Sequence, residues 1–204
     1  NANFAYVADA NYGLFVVDIS DSINSNVVGE VSIPNSPSNV ALSDDGSTAY
    51  VAGGSSGLQI IDIVDSGNPL LVGAFDTQGN ASHTTLASNS SNAYVSDGDA
   101  GLQIINVSEA LVPSLVGTYV TEGQLYETAL SADESKLFLA TSAGLRILDI
   151  SDSANVNLLG SFSALGEAFS VGISPDDNTA YIVNRSSGLK IIDVSNASAP
   201  LLIG

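Results

Sequence analysis

Cysteine and methionine are both missing from this chain of 204 residues; histidine occurs once, and lysine and arginine together number 4. Without cysteine there is neither a disulfide framework nor a thiol nucleophile, and the compartment is left open. Against those 4 bases stand 22 acids, for a formal charge of −18. So acidic a chain is repelled by nucleic acid and by anionic membrane surfaces, which makes both poor partners. The few bases are also unevenly placed. None precedes Lys136, residues 1–135 hold 16 acids, and residues 136–204 hold 6 acids with all 4 bases. No apolar run exceeds the length of a strand, so none is a spanning helix. No signal peptide is visible and the chain opens on Asn1 with no Met, which suggests a processed or excised segment. Walker loops, zinc-ligand spacings, a Ser/His/Asp set and basic–aromatic patches are absent too.

What is present is repetition. The text AYVAGGSSGLQIIDI from Ala49 recurs as AYVADANYGLFVVDI at Ala5, AYVSDGDAGLQIINV at Ala93, LFLATSAGLRILDI at Leu137 and AYIVNRSSGLKIIDV at Ala180. A Gly-Leu pair fixes the phase at Gly13, Gly57, Gly101, Gly144 and Gly188, and a second marker at Gly29, Gly73, Gly117, Gly160 and Gly204 keeps step with it. Two markers in register define an internal repeat of about 44 residues, a period of solenoids, propellers and arrays.

Each copy reads as short strands split by turns. In copy two they are Ala49–Ala52, Leu58–Ile63 and a strand closing at Gly73, with a linking strand before them. The linking strands fall near Ser38–Ser43, Ser82–Ala87, Tyr126–Ser131 and Phe169–Ser174, each followed by an Asp-, Asn- or Ser-rich hairpin turn. Along Leu58–Ile63 the apolar positions have both parities, Leu58 and Ile60 on one face, Ile61 and Ile63 on the other. A strand buried on both faces does not fit a sandwich with one wet face. Repeated four-stranded sheets packed face to face are propeller blades. The small residues Ala41, Thr85, Ala129 and Gly172 fit inner strands crowded round an axis. Gln59, the polar residue of the strand, is expected at an exposed or adaptable site, with a substitution there worth under about 1 kcal/mol.

The expected fold is therefore all-β: a β-propeller of four-stranded antiparallel blades, one domain over residues 1–204, with copies starting near 5, 49, 93, 137 and 180. Five copies share only four linking strands, so the first blade lacks its inner strand. It belongs either to a larger ring or to an assembly in which another chain donates the strand.

The combination AYVAGGSSGLQIIDI…NPLLVG resembles the LVIVD repeat, and SPDDNTAYIV is similar to the related YVTN-type repeats. The resemblance covers essentially the whole chain. It implies a propeller, a setting among bacterial and archaeal surface and secreted proteins, and no catalytic signature. Asn106 departs from it where the other copies have Asp, and Asn39, His83, Glu127 and Ser170 stand where an Asp is common.

Asp18, Asp62, Asp149 and Asp193 could form a ring of carboxylates, but each ends a strand before a turn, where Asp accepts backbone N–H bonds. Asn39, His83, Glu127 and Ser170 head the four inner strands and would converge near a channel mouth. There they are binding residues, with His83 and Glu127 as an acid/base pair in the enzymatic reading, or simply satisfied polar groups. The turn Asp97-Gly98-Asp99 offers carboxylates to Ca²⁺ without the fuller ligand loop of an EF-hand. Sequons stand at Asn80, Asn89, Asn106, Asn184 and Asn196. The leading expectation is a non-catalytic extracellular or cell-surface scaffold contacting protein or glycan through its loops. The alternatives are a subunit of an extracellular fibre or layer built by strand donation, and a hydrolase or lyase at the channel mouth.

Overall fold

The computed structural model describes residues 3–163 and 166–204, and every regular element among them is a strand. The first copy supplies β1 (Phe4–Asp9), β2 (Gly13–Asp18) and β3 (Asn26–Ser32). The second supplies β4 (Asn39–Leu42), β5 (Thr48–Ala52), β6 (Leu58–Asp62) and β7 (Leu70–Phe75). The third has β8 (His83–Leu86), β9 (Asn92–Ser96), β10 (Leu102–Asn106) and β11 (Ser114–Tyr119). Then come β12 (Leu125–Leu130), β13 (Lys136–Thr141), β14 (Gly144–Asp149) and β15 (Asn157–Phe162). The fifth has β16 (Ala168–Ile173), β17 (Thr179–Asn184), β18 (Gly188–Asp193) and a short β19 (Leu201–Leu202).

Each copy makes one sheet whose strands lie side by side in chain order, β1-β2-β3 in the first and four strands in each of the others. The linking strands thus join the copy that follows them, and the first sheet has β1 at its edge, as the strand count predicts. Pairing is in tight register, for example Ala49↔Ile61 and Tyr50↔Ile60 between β5 and β6. The hairpin between these strands turns on Gly57, at φ 70°, where only glycine is free of strain.

The chain divides into two compact units, Asn1–Val95 with Ile105–Leu115, and Ser96–Ile104 with Val116–Gly204. In the first unit both faces of β6 are sealed. Leu58 and Ile60 join a core with Tyr50, Ala52, Ala93, Val95 and Ile105. Ile61 and Ile63 join another with Leu14, Ile33, Ala49 and Val51. Burial on both parities is what the sequence pattern demands, and Leu58, Ile60 and Ile61 are all 0% exposed. In the second unit Phe138, Ala140, Leu145 and Ile147 of the fourth sheet pack on Ala168, Ala180, Ile182 and Ile192 of the fifth.

Two expectations need correction. Gln59 is buried, its Nε2 donating to the Ser56 carbonyl at 2.6 Å. A strand sealed on both faces leaves no wet position, so the polar side chain is satisfied by the turn beside it. At Gly172 nothing lies within 4 Å of where a Cβ would stand, so no crowding dictates its small size.

The closing glycines have a definite task. A Cβ on Gly29 would strike the Ser66 carbonyl oxygen, and one on Gly73 the Ala110 oxygen, both in the first unit. Gly117 and Gly160 make the same approach to the Ser153 and Ala197 oxygens in the second. The last strand of each of the first four sheets is thereby pressed against the turn of the next copy. Opposite three of these glycines the neighbouring strand pair carries a bulge, after Val16, Ile60 and Ile147, which adds local twist.

Candidate functional site

The four residues singled out at the heads of the linking strands are all half-buried, and they are distributed over the two units. In the first unit Asn39 opens β4 and His83 opens β8. The Oδ1 of Asn39 accepts the N–H of Thr84 at 3.0 Å, and the Ser38 hydroxyl donates to the Ser82 carbonyl at 2.9 Å. Asn39 and Ser38 therefore stitch the second copy to the third. Just upstream, Gly54 and Ala81 exchange N–H···O bonds of 3.0 and 2.9 Å, which ties the loop ahead of His83 to the hairpin of the preceding sheet.

In the second unit Glu127 and Ser170 occupy the same position of β12 and β16, but the strands start differently. Leu125 pairs with Thr141 and Glu127 with Ala140; Ala168 pairs with Asn184 and Ser170 with Val183. Tyr126 and Phe169 are thus the extra residues of two β-bulges, and bulges re-aim side chains next to functional sites. Their rings meet with centroids 5.1 Å apart, tilted by 39°. The Arg185 guanidinium lies over the Phe169 ring, 5.1 Å from its centroid, a cation–π arrangement. Arg185 also pairs with the Glu167 carboxylate at 3.7 Å. Burial raises the Tyr126 phenol above its ordinary pKa, and the carboxylate of Glu167 beside it adds to the effect. Phe169 remains 44% exposed.

Sequence reasoning passed over Tyr126 and Phe169 because they read as ordinary strand residues. A signal was there: the equivalent residue is Ser38 and Ser82 in two copies, then aromatic in two consecutive ones. A second ion pair in this unit joins Glu122 to the nearly buried guanidinium of Arg146 at 3.0 Å. Arg146 also donates to the Leu145 carbonyl at 3.1 Å. This is the equivalent of Gln59, a long polar side chain satisfied at a sealed strand.

The strand-end carboxylates do what their context predicts. Asp18, Asp62, Asp149 and Asp193 each accept the N–H two residues on, at 2.8–3.0 Å. Asn106 does the same toward Ser108 at 3.2 Å. They close turns. The Asp97-Gly98-Asp99 turn buries Asp97 and exposes Asp99, and among the described residues no group of three or more His, Asp or Glu is placed to hold a metal ion. Of the sequons, Asn184 is buried, its Oδ1 accepting the N–H groups of Ser186 and Ser187.

A second family of carboxylates closes the hairpins after the linking strands. Asp45 accepts the Ser43 hydroxyl at 2.6 Å, the Ser47 N–H at 2.9 Å and the Ser47 hydroxyl at 2.8 Å. These bonds lower its pKa to about 2, and the Ser131 and Ser135 bonds hold Asp133 lower still. Asp176 is lowered by its Ser174 bond first. A carboxyl with a depressed folded pKa adds stability above its unfolded pKa, near 3.9, and loses it as pH falls toward the folded value. The melting temperature is therefore expected to fall between about pH 4 and pH 2. Asn89 fills the Asp45 position in the third copy and still accepts the Ser91 N–H at 2.9 Å. Asp45→Asn together with Asp133→Asn should accordingly flatten the acid limb in thermal melts; an unchanged limb would count against the turns as its source.

The family model of the LVIVD repeat matches residues 1–32, 36–77, 90–121, 134–164 and 166–204. A comparison with curated proteins returns no match. Among solved structures, a Lactobacillus plantarum protein superposes with a TM-score of 0.83 at 18% identity, over 98% of this chain and 66% of that one. A Bacteroides fragilis protein provisionally assigned as a 6-phosphogluconolactonase gives 0.80 at 16%, over 100% and 66%. The Cps50 (Swd1) β-propeller domain of Myceliophteria thermophila gives 0.77 at 14%, over 98% and 66%. The chain spans just under two thirds of the length of each, and at such identities the likeness is one of fold.

Proposed function

The chain belongs to the LVIVD-repeat family, and from that premise we propose that it is a non-catalytic β-propeller scaffold of the cell surface or extracellular space that holds a saccharide-sized ligand. The observation that carries this reading is the group of Tyr126, Phe169, Arg185 and Glu167. Two bulges present adjoining aromatic rings, one half open to solvent, beside a guanidinium and a carboxylate. Aromatic faces offer apolar contact at low entropic cost, and the charged pair supplies donors and an acceptor for hydroxyl groups. The strongly acidic surface opposes nucleic acid and anionic lipid as ligands, as it does from the sequence alone. The extracellular placement is part of the proposal.

Screening neutral oligosaccharides against the chain by isothermal titration calorimetry tests it. Binding is expected, and Phe169→Ala should weaken it about tenfold or more, the weight of a central aromatic contact. Arg185→Ala should do the same, while Tyr12→Ala, an exposed aromatic in the other unit, leaves it intact. Binding that ignores Phe169→Ala, binding of a protein in place of any saccharide, or turnover of a sugar-phosphate lactone would overturn the reading.

A further inference from the structure

Where the hairpins after the linking strands meet, two junctions between copies are built differently. From the fifth copy Asp177 reaches the fourth, its two carboxylate oxygens accepting the N–H of Ala132 at 2.9 and 3.0 Å. In the third copy the equivalent of Asp177 is Ser90, at φ 51°, and in the second the equivalent of Ala132 is Asp44. Among the described residues no bond joins Ser90 to Asp44. A cavity of about 430 Å³ stands there instead, between the hairpins 43–48 and 88–90 and walled by Tyr50, Val107 and Ala110. All of it belongs to the first unit. Its polar groups are surplus to the packing. Tyr50 is 4% exposed, yet its hydroxyl has no hydrogen-bond partner among the described residues, a rare state for a buried polar side chain. Phe138 fills the same position in the fourth copy at 0% exposure, so the sheet needs the ring and not the hydroxyl. The bonds from Ser43 and Ser47 all end on Oδ1 of Asp45 and leave Oδ2 open. The Asp44 carboxylate makes no bond among the described residues. Burial raises the Tyr50 phenol above its ordinary pKa, and the charge of Asp45 adds to the effect. Ser47, Thr48 and Ala110 also border an apolar hollow of about 320 Å³, lined by Val64, Val72 and Leu111.

We infer that this groove docks a basic polypeptide segment, with an arginine side chain in the polar cavity and an apolar neighbour in the adjoining hollow. Charge selects the first of these. Asp44 and Asp45 supply two carboxylates, and no Lys or Arg of the first unit competes for them, since all four lie at or after position 136. A guanidinium offers five donors in a planar fork, and the cavity offers acceptors: the Asp44 carboxylate, Oδ2 of Asp45 and the hydroxyls of Tyr50 and Ser90. Val107 and Ala110 give its apolar stem a wall to lie on. A metal ion fits less well, because among the described residues no three acids converge on one point. The hollow selects the second. Val64 and Leu111 are 75% and 76% exposed, and a cationic pocket beside an apolar one matches adjacent side chains of one extended segment. The aromatic group lies in the other unit, so the groove stands whether or not that group binds a saccharide.

The test is isothermal titration calorimetry of the chain at low salt with a capped tripeptide of arginine flanked by two leucines. The same peptide with citrulline in place of arginine, and arginine amide alone, are titrated beside it. The arginine peptide should bind, and the citrulline peptide, nearly isosteric but uncharged, should bind at least about tenfold more weakly. Asp44→Asn together with Asp45→Asn should weaken the arginine peptide about tenfold or more, and Tyr50→Phe about threefold. These variants suit the fold: Asn89 and Phe138 occupy two of the positions in other copies, and Asp44 is exposed; circular dichroism at neutral pH checks it. Glu30→Gln together with Asp76→Asn removes the same charge from exposed positions elsewhere in the first unit and should weaken binding less than about twofold. Phe169→Ala should leave it unchanged, so failure here is told apart from failure of the saccharide reading. No binding, equal affinity for the citrulline peptide, or an equal loss in the Glu30 and Asp76 control would each overturn the proposal. Arginine amide binding as tightly as the tripeptide would overturn the polypeptide as occupant in favour of a small guanidinium compound.

Discussion

Replacing Gly73 with alanine is expected to lower the stability by about 3 kcal/mol or more, at or above the upper end for overpacking. The added methyl would stand against the carbonyl oxygen of Ala110. That atom is backbone in the turn of the next copy and cannot rotate away as a side-chain tip would. Relief requires moving β7 off its neighbour, which opens the core around Leu58, Ile60 and Ile105. Gly172→Ala provides the control, because open space surrounds its Cβ position. There the change should stay within about 0.5 kcal/mol, as at other unconstrained surface positions. Urea melts of the two variants decide the matter. Equal midpoints would mean that the glycine contact between copies carries no packing role.

Ile61→Ala is expected to cost about 2–5 kcal/mol, the range for truncating a fully buried branched side chain. Ile61 is 0% exposed and lies in the core that joins the first two sheets, so the cavity opens between copies rather than inside one. Gln59→Ala, on the same strand, is expected to cost about 1–3 kcal/mol, the penalty for removing a buried hydrogen-bonding partner. That places it between the core position and a surface one. A Gln59→Ala midpoint indistinguishable from the parent's would restore the solvent-exposed assignment of that site.

The contrast between these two residues shows which parts of the fold were legible in the sequence. Ile61 and Ile63, set against Leu58 and Ile60, announce burial on both faces by parity alone, and parity survives translation into structure. Gln59 does not announce its burial. Its amide is satisfied by Ser56, three residues back, and a hydropathy pattern has no means of showing where a hydrogen bond ends. The turn carboxylates were legible for the opposite reason: their partners are two residues away in the chain, so the context DIS or DDGS contains the whole interaction. The aromatic group was not. Tyr126 and Phe169 are 5.1 Å apart in space but a full repeat apart in sequence, and it is a register shift in two strands that turns them toward each other. Asn39, His83, Glu127 and Ser170 were found through the repeat phase, which fixes position in a sheet and leaves chemistry open.

The meander of each sheet bears on how the protein is made. All the strands of a sheet come from one unbroken stretch of chain, so each can pair as soon as it leaves the ribosome, without waiting for distant sequence. Short-range pairing of this kind favours rapid folding, and the sheets should appear one after another from the N-terminus. Near-identical copies bring a matching hazard, because a strand such as Leu102–Asn106 can pair in the place of Leu58–Asp62 and trap a shifted, swapped chain. The linking strands are less alike. Their opening residues, Asn39, His83, Glu127 and Ser170, differ in every copy, and the bulges at Tyr126 and Phe169 give two of those strands a start that the others lack. Divergence at these strand heads thus distinguishes one copy from the next in sequence and, at the two bulges, in backbone.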